Sequence, residues 1–258
     1  MLRRYAELHP TELEQAWAEG APALLPLGAL EWHGPHLPLG LDGLLAESFA
    51  LRLAKEAAGV LLPCLYAPIT PLPHPLSLEV KTSTLQALLD DTLSALHRSG
   101  ARRVCLVSGH YAQGHEVELY RAAMRAMNRY GGFLVFAASP LEPLGEDRFL
   151  DHAARFETSQ LLAVRPDLVR LDALDSLDPH WSAVLGDDPR TATAEEGEVL
   201  IRRALNAWAK WLGAETRDDL LATYEERIEA YRPYMDKYFK GSWEDALNTW
   251  WESKAAGS

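Results

Sequence analysis

The sequence predicts an α/β protein: one three-layer α/β/α domain with a mostly parallel sheet over residues 1–215, followed by an aromatic-rich helical extension over 216–258. Two observations carry this reading. Short apolar runs of strand length, at 23–27, 60–65, 103–108 and 133–138, alternate with longer stretches in which apolar residues recur at helical spacing. From Thr216 onward the composition shifts to Trp, Tyr and charge (Tyr231, Tyr234, Tyr238, Trp243, Trp250, Trp251). A chain of 258 residues is also long enough to bury one large core.

The elements follow in order. Thr11-Glu12-Leu13-Glu14 has the pattern of a capping box and opens a helix running toward Gly20. The run 23–27 reads as a buried strand. A helix is expected over 44–58, with Leu44, Leu45, Phe49, Leu51, Leu53, Ala54 and Ala57 facing a sheet and Gly59 ending it. A second strand over 60–65 leads into a proline-rich loop, 68–75. Ser83-Thr84-Leu85-Gln86 opens the next helix, which ends near Gly100. The strand 103–108 is followed by a helix over about 116–130 and the strand 133–138. A later helix is expected over 195–212.

Composition excludes some functions. Hydrophobic content of 48% and charged content of 24% are those of a globular protein. A formal charge of −12 lacks the basic face that nucleic acid requires. No apolar run approaches a membrane span, and Met1 to Glu7 lacks the apolar stretch of a signal peptide. Cys64 and Cys105 fall in strand-like runs and read as buried free thiols, so a cytoplasmic location is expected.

The most informative stretch is 27–42, Leu-Gly-Ala-Leu-Glu-Trp-His-Gly-Pro-His-Leu-Pro-Leu-Gly-Leu-Asp. It puts Glu31, His33, His36 and Asp42 on a loop leaving the C-terminal end of a strand, where open α/β sheets bind ligands. Glu31 and His33 are two apart, so extended backbone sends both side chains to one side. Oxygen and nitrogen donors in this arrangement suit a divalent metal. Taken alone, the spacing more often marks histidines near a Pro-Gly turn that face solvent or bond to backbone.

The whole run resembles the creatininase (creatinine amidohydrolase) family, whose members carry Gly-(Ser/Ala)-x-Glu-Gln-His-Gly-x-His-Leu-Pro-x-x-x-Asp after the first strand; Trp32 replaces the usual Gln. Two further segments match in order. Ser108-Gly109-His110 corresponds to the family's Asn-Gly-His, and Asp151-His152-Ala153 through Glu157-Thr158-Ser159 to (Glu/Asp)-His-(Gly/Ala)-x-x-x-Glu-Thr-Ser. The resemblance covers about residues 20–172. Two departures bear on substrate. The family's namesake has a Glu two residues after the His110 position, where this chain has Ala112. The usual Phe-Pro-Gly-Thr loop is replaced by residues 75–83, Pro-Leu-Ser-Leu-Glu-Val-Lys-Thr-Ser. His115 and Glu116 lie one helical turn on, where side chains are expected to face solvent.

The resemblance implies a metal-dependent hydrolase of a C–N bond, in an amide, cyclic amide or formamide, with two divalent ions per chain (zinc, manganese or iron). One ion would take Glu31, Asp42 and His110, the other His33, Asp42 and Glu157, with Asp42 as the bridge. His152 would handle the proton. Since i and i+5 diverge by about 140° on a helix, His152 must precede the helix that carries Glu157, with Asp151 or a neighbour as its cap. His36 would orient the loop or a ligand carboxylate, and Trp32 and Tyr111 would contact substrate. The tail tryptophans suit a pocket lid or a subunit interface. The expected partners are a small-molecule amide and copies of the same chain, as a homo-oligomer and plausibly a hexamer, with neither nucleic acid nor membrane. A peptidase of the same family and a non-catalytic metal-binding or assembly protein are the alternatives.

Overall fold

A computed structural model describes residues 2–176 and 183–238. Six strands, β1 (Arg3–Arg4), β2 (Ala23–Gly28), β3 (Val60–Leu61), β4 (Leu65–Tyr66), β5 (Arg103–Ser108) and β6 (Leu134–Ala138), form one sheet. Its order is β1-β3-β2-β5-β6, with β4 also pairing β2, and every ladder is parallel. Strands β2 and β5 are continuous apolar runs buried on both faces, as parallel strands between helical layers must be.

The helices are α1 (Pro10–Ala18), α2 (Leu41–Glu56), α3 (Thr82–Ser99), α4 (Gln113–Arg129), α5 (Arg155–Val164), α6 (Ala194–Ala214) and α7 (Arg217–Tyr238). The chain crosses from β2 to β3 in one direction and from β5 to β6 in the other, so right-handed crossovers put α2 and α4 on opposite faces. Helices α5 and α6 pack beside α2, while α3 and α7 pack beside α4. The chain reverses between β2 and β5, whose ends leave the sheet side by side with Leu27 opposite Ser108. This switch point is where ligands bind in open α/β sheets.

Several local expectations are corrected. The run 60–65 is two short strands, because Pro63 has no N–H to donate. One extra residue between them shifts the register against β2 from Leu24–Leu61 to Leu27–Leu65. Cys64 at that break is half-buried, whereas Cys105 is fully buried; both are free. Helices α2 and α4 each begin about one turn earlier than expected. The first helix is capped at His9, whose N–H donates to Glu12 at 2.8 Å, with Pro10 at the first helical position; Thr11 and Glu14 do not form the box. Lys81, not Ser83, precedes α3, without a side-chain cap.

Helix α7 shares the core of the domain. Leu220 and Tyr224 are completely buried, and the Tyr224 ring stacks on Tyr120 of α4 at 5.2 Å. Its hydroxyl accepts from the Ala137 N–H at 2.7 Å and donates to the Val135 carbonyl at 2.8 Å, satisfying the open side of β6. Among the described residues, no helix is long and apolar enough to cross a membrane. Trp243, Trp250 and Trp251 lie outside the described residues.

Candidate metal centre

The β2–α2 loop is short and closed, with Glu31 N–H donating to the Leu39 carbonyl at 2.8 Å. It returns into α2 one residue before Asp42, so Asp42 sits in the first turn, buried above the ends of β2 and β5. Glycines permit this close seat. A Cβ on Gly28 would lie 2.2 Å from the Gly43 nitrogen, and one on Gly109 would lie 2.0 Å from the Asp42 carbonyl oxygen. No side chain fits at either place.

The five expected ligand side chains, Glu31, His33, Asp42, His110 and Glu157, converge and are all buried. Glu31, Asp42 and His110 form one triad and His33, Asp42 and Glu157 another, each with donor atoms within 4.8 Å of one another. Asp42 is common to both. Its Oδ1 lies 3.0 Å from His33 Nε2 and its Oδ2 lies 3.1 Å from His110 Nδ1. Glu31 Oε2 is 2.9 Å from His110 Nδ1, and Glu157 Oε2 is 3.8 Å from His33 Nε2.

Backbone carbonyls set the tautomers. His33 Nδ1 faces the Glu31 carbonyl at 3.1 Å and His110 Nε2 faces the Ile69 carbonyl at 3.1 Å. A carbonyl only accepts, so those nitrogens carry the protons and the lone pairs of His33 Nε2 and His110 Nδ1 are aimed at the carboxylates. His33 Nε2 and Asp42 Oδ2 are buried and make no hydrogen bond. The His33 lone pair meets Asp42 Oδ1 at 3.0 Å, and with two more buried carboxylates alongside, these acceptors call for a cation. Among the described residues the basic groups paired with these carboxylates are His33 and His110.

The same carboxylates also draw a proton, so a proton and a metal ion compete for these imidazole nitrogens. Burial opposes a charge on His33, yet Asp42, Glu157 and Glu31 outweigh it and push its pKa up to about 10. His110 rises for the same reason, against burial, through Glu31 and Asp42. Burial alone would raise Asp42, but His33 and His110 hold it below the usual carboxylate range. Glu157 runs the other way, raised well above the ordinary value chiefly by burial, whereas the directions at His33, His110 and Asp42 are those expected where positive charge is favoured.

Glu157 is positioned from outside the helix. Ala153, with φ of +51°, donates its N–H to Glu157 Oε2 at 2.6 Å. Asp151 caps α5 as expected, its carboxylate accepting the N–H groups of Phe156 at 2.7 Å and Glu157 at 3.0 Å. His152 precedes the helix. Its ring stacks on His33 at 4.3 Å and its Nε2 meets the Trp32 carbonyl at 3.0 Å. Burial, then the neighbouring His33, lowers its pKa to about 4, so the ring is neutral near pH 7. Its donor atoms also come within 4.8 Å of those of Glu31 and His33, a third possible grouping.

The other expected residues are nearby. His36 is buried, with Nε2 3.4 Å from the hydroxyl of Thr158, next to Glu157. Trp32 is half-buried and stacks on His74 at 4.2 Å. Tyr111 is half-buried, and burial and then Glu157 raise its hydroxyl pKa well above the ordinary value. His115 and Glu116 correct an expectation: both are buried, in a stretch of α4, 114–120, that is covered on every side, with Glu116 beside Tyr231 and Arg227 of α7. His115 packs edge-on against His110 at 5.0 Å, and among the described residues neither His115 nor Glu116 belongs to a ligand triad. The sequence reading missed the glycine seat and the backbone contacts of the 69–78 loop. Gly109 in the second motif was the available signal for the seat.

Comparison with known proteins fits this geometry. The family model described as creatinine amidohydrolase matches residues 6–212. The chain belongs to the creatininase family. It is thus an enzyme of the hydrolases that cleave carbon–nitrogen bonds. The creatinine amidohydrolase of Pseudomonas putida is 30% identical over 235 aligned positions, 76% of this chain and 90% of that protein. The mycofactocin precursor peptide peptidase of Mycolicibacterium smegmatis is 32% identical over 216 positions, 72% of this chain and 82% of that one. Solved manganese and zinc–zinc forms of creatininase each superpose with TM-score 0.72 at 24% identity, covering 82% of this chain and 98% and 97% of theirs. At that identity they establish the shared fold.

Proposed function

We propose that this protein is a metal-dependent amidohydrolase that cleaves a C–N bond of a small molecule, with two divalent ions held by residues of its 1–215 domain. The observation that carries this reading is the pair of triads meeting at Asp42, with His33 Nε2 and Asp42 Oδ2 each buried without a hydrogen bond. One ion is assigned to Glu31, Asp42 and His110 and the other to His33, Asp42 and Glu157. The mixed nitrogen and oxygen donors suit zinc, manganese or iron. Such a pair, when bound, activates a water for attack and polarises the scissile carbonyl.

The chain's own residues do the rest. His152, neutral and fixed through Nε2 to the Trp32 carbonyl, takes a proton at Nδ1 and returns it to the departing nitrogen. His36 steadies the start of α5 through Thr158, and Tyr111 and Trp32 contact substrate from the walls. The site's burial excludes bulk water and strengthens each of these interactions. A peptidase reading is favoured by one observation, the 32% identity to a curated peptidase over 216 positions.

A panel of small amides, cyclic amides, formamides and short peptides, offered to metal-loaded protein, tests the assignment. Hydrolysis of a small amide is expected, with creatinine turned over more slowly than about 1 per second because Ala112 and the 75–83 loop depart from the namesake's pattern. Cleavage of peptides alone would move the protein to the peptidase branch, and no cleavage of any member would return it to a binding role.

We also propose a cytoplasmic homo-oligomer, plausibly hexameric. Its support is the resemblance and the aromatic composition of the 216–258 extension, which suits an interface. Sedimentation is expected to give a multiple of 28.7 kDa, and a single copy would dispose of it.

A further inference from the structure

The loop after β4 touches the candidate centre only through its backbone, yet it reaches both histidine and carboxylate ligands. The Ile69 carbonyl orients His110, and the Leu72 N–H donates to Glu31 Oε1. Thr70, between them, is a β-branched residue with φ of +55°, a conformation that costs energy and needs support from its surroundings. Its N–H donates to the Glu79 carboxylate at 3.0 Å, which ties the turn to the far end of the same loop.

Ser77 closes this arrangement. Its hydroxyl donates to the Leu72 carbonyl at 2.8 Å and accepts the Trp32 N–H at 3.0 Å. A hydrogen-bonded ring therefore runs from the Glu31 carboxylate to the Leu72 N–H, through the Leu72 carbonyl to Ser77 Oγ, and back through the Trp32 N–H to the residue beside Glu31. The Leu78 N–H adds a second fastening, donating to the Leu30 carbonyl at 2.8 Å. The ring fixes both ends of Glu31, its backbone and its carboxylate.

We propose that Ser77 is a positioning residue for the Glu31–Asp42–His110 half of the centre, acting through Glu31 without contacting an ion. This rests on the two-ion reading above. Removing a ligand's direct outer partner costs about 10–100-fold in metal affinity, and Ser77 stands one bond behind that partner, the Leu72 N–H, so a loss of about tenfold is expected. Ser77→Ala deletes both bonds of the hydroxyl and leaves all five ligands in place. The ring reaches the His33–Glu157 half through the Glu31 carbonyl at His33 Nδ1, so that half is affected less.

The test is a stepwise Zn²⁺ or Mn²⁺ titration of full-length protein by calorimetry, with thermal melting of the metal-free protein alongside. The expected result is that one of the two binding steps weakens about tenfold in Ser77→Ala, the other weakens by less, and Ser77→Thr, which keeps the hydroxyl, restores the first. Unchanged affinity at both steps overturns the proposal. So does equal weakening of both steps with a lowered melting temperature, since that marks a merely structural role. If Ser77→Ala does not fold, Ser77→Cys, which fills the volume and bonds weakly, must show the same unequal loss. A wild type that takes up no metal would defeat the two-ion reading itself, and with it the proposal, and is read in the same experiment.

Discussion

Asp42→Ala is expected to strip the protein of both divalent ions, a larger loss than removal of any other single ligand. The two oxygens of Asp42 are divided between the triads, Oδ1 toward His33 and Oδ2 toward His110, so its carboxylate is the one donor both half-sites share. Removing it leaves each half only two of its side chains, Glu31 with His110 and His33 with Glu157. Elemental analysis of purified protein should fall from two ions per chain toward none. Retention of the wild-type content in a folded Asp42→Ala protein would show that the two triads do not form a bridged centre. Glu157→Ala gives the contrast, since it belongs to one triad and should cost one ion.

His152→Ala is expected to lower the rate by about 10²–10⁴ while sparing the metal content, the usual worth of a general acid or base. The imidazole stands just ahead of α5, with Nε2 committed to the Trp32 carbonyl and the ring lying against His33. The limb of the pH–rate profile due to this group should disappear in the variant. His152 also lies within reach of Glu31 and His33, so the metal measurement decides between two roles. Loss of an ion would make it a ligand. Full activity per folded molecule would leave the reaction without its proton carrier, and the mechanism would fall.

Much of this was legible in the sequence, for physical reasons that differ by element. Strands β2, β5 and β6 stood out because a parallel strand covered on both faces must be a continuous apolar run. The five ligand residues were found because chemistry restricts their types, and because they lie on three short motifs at strand or helix ends. The starts of α2 and α4 were misjudged because Gly43 and Gly114 are poor helix formers, and tertiary packing overrides that preference. A Cβ at Gly43 would enter the Tyr66 ring, and one at Gly114 would press on Thr70, so both glycines are required by close approach. The burial of His115 and Glu116 comes from the cover that α7 and the site give to the first turns of α4, which local sequence does not encode. The ring through Ser77 was not legible, since it is made largely of backbone groups 45 residues apart in sequence.

The sheet has no useful border. On one side β1 is a pair of arginines, with Arg3 tied to Glu19 and to the Ala58 carbonyl. On the other, the Tyr224 hydroxyl occupies the outward N–H and carbonyl of β6, so an incoming strand would first have to displace α7. Open strand edges are where unrelated chains add themselves to a sheet and begin to aggregate. Among the described residues both flanks disfavour that route. Association of copies through helices and loops is therefore favoured over joining their sheets into one.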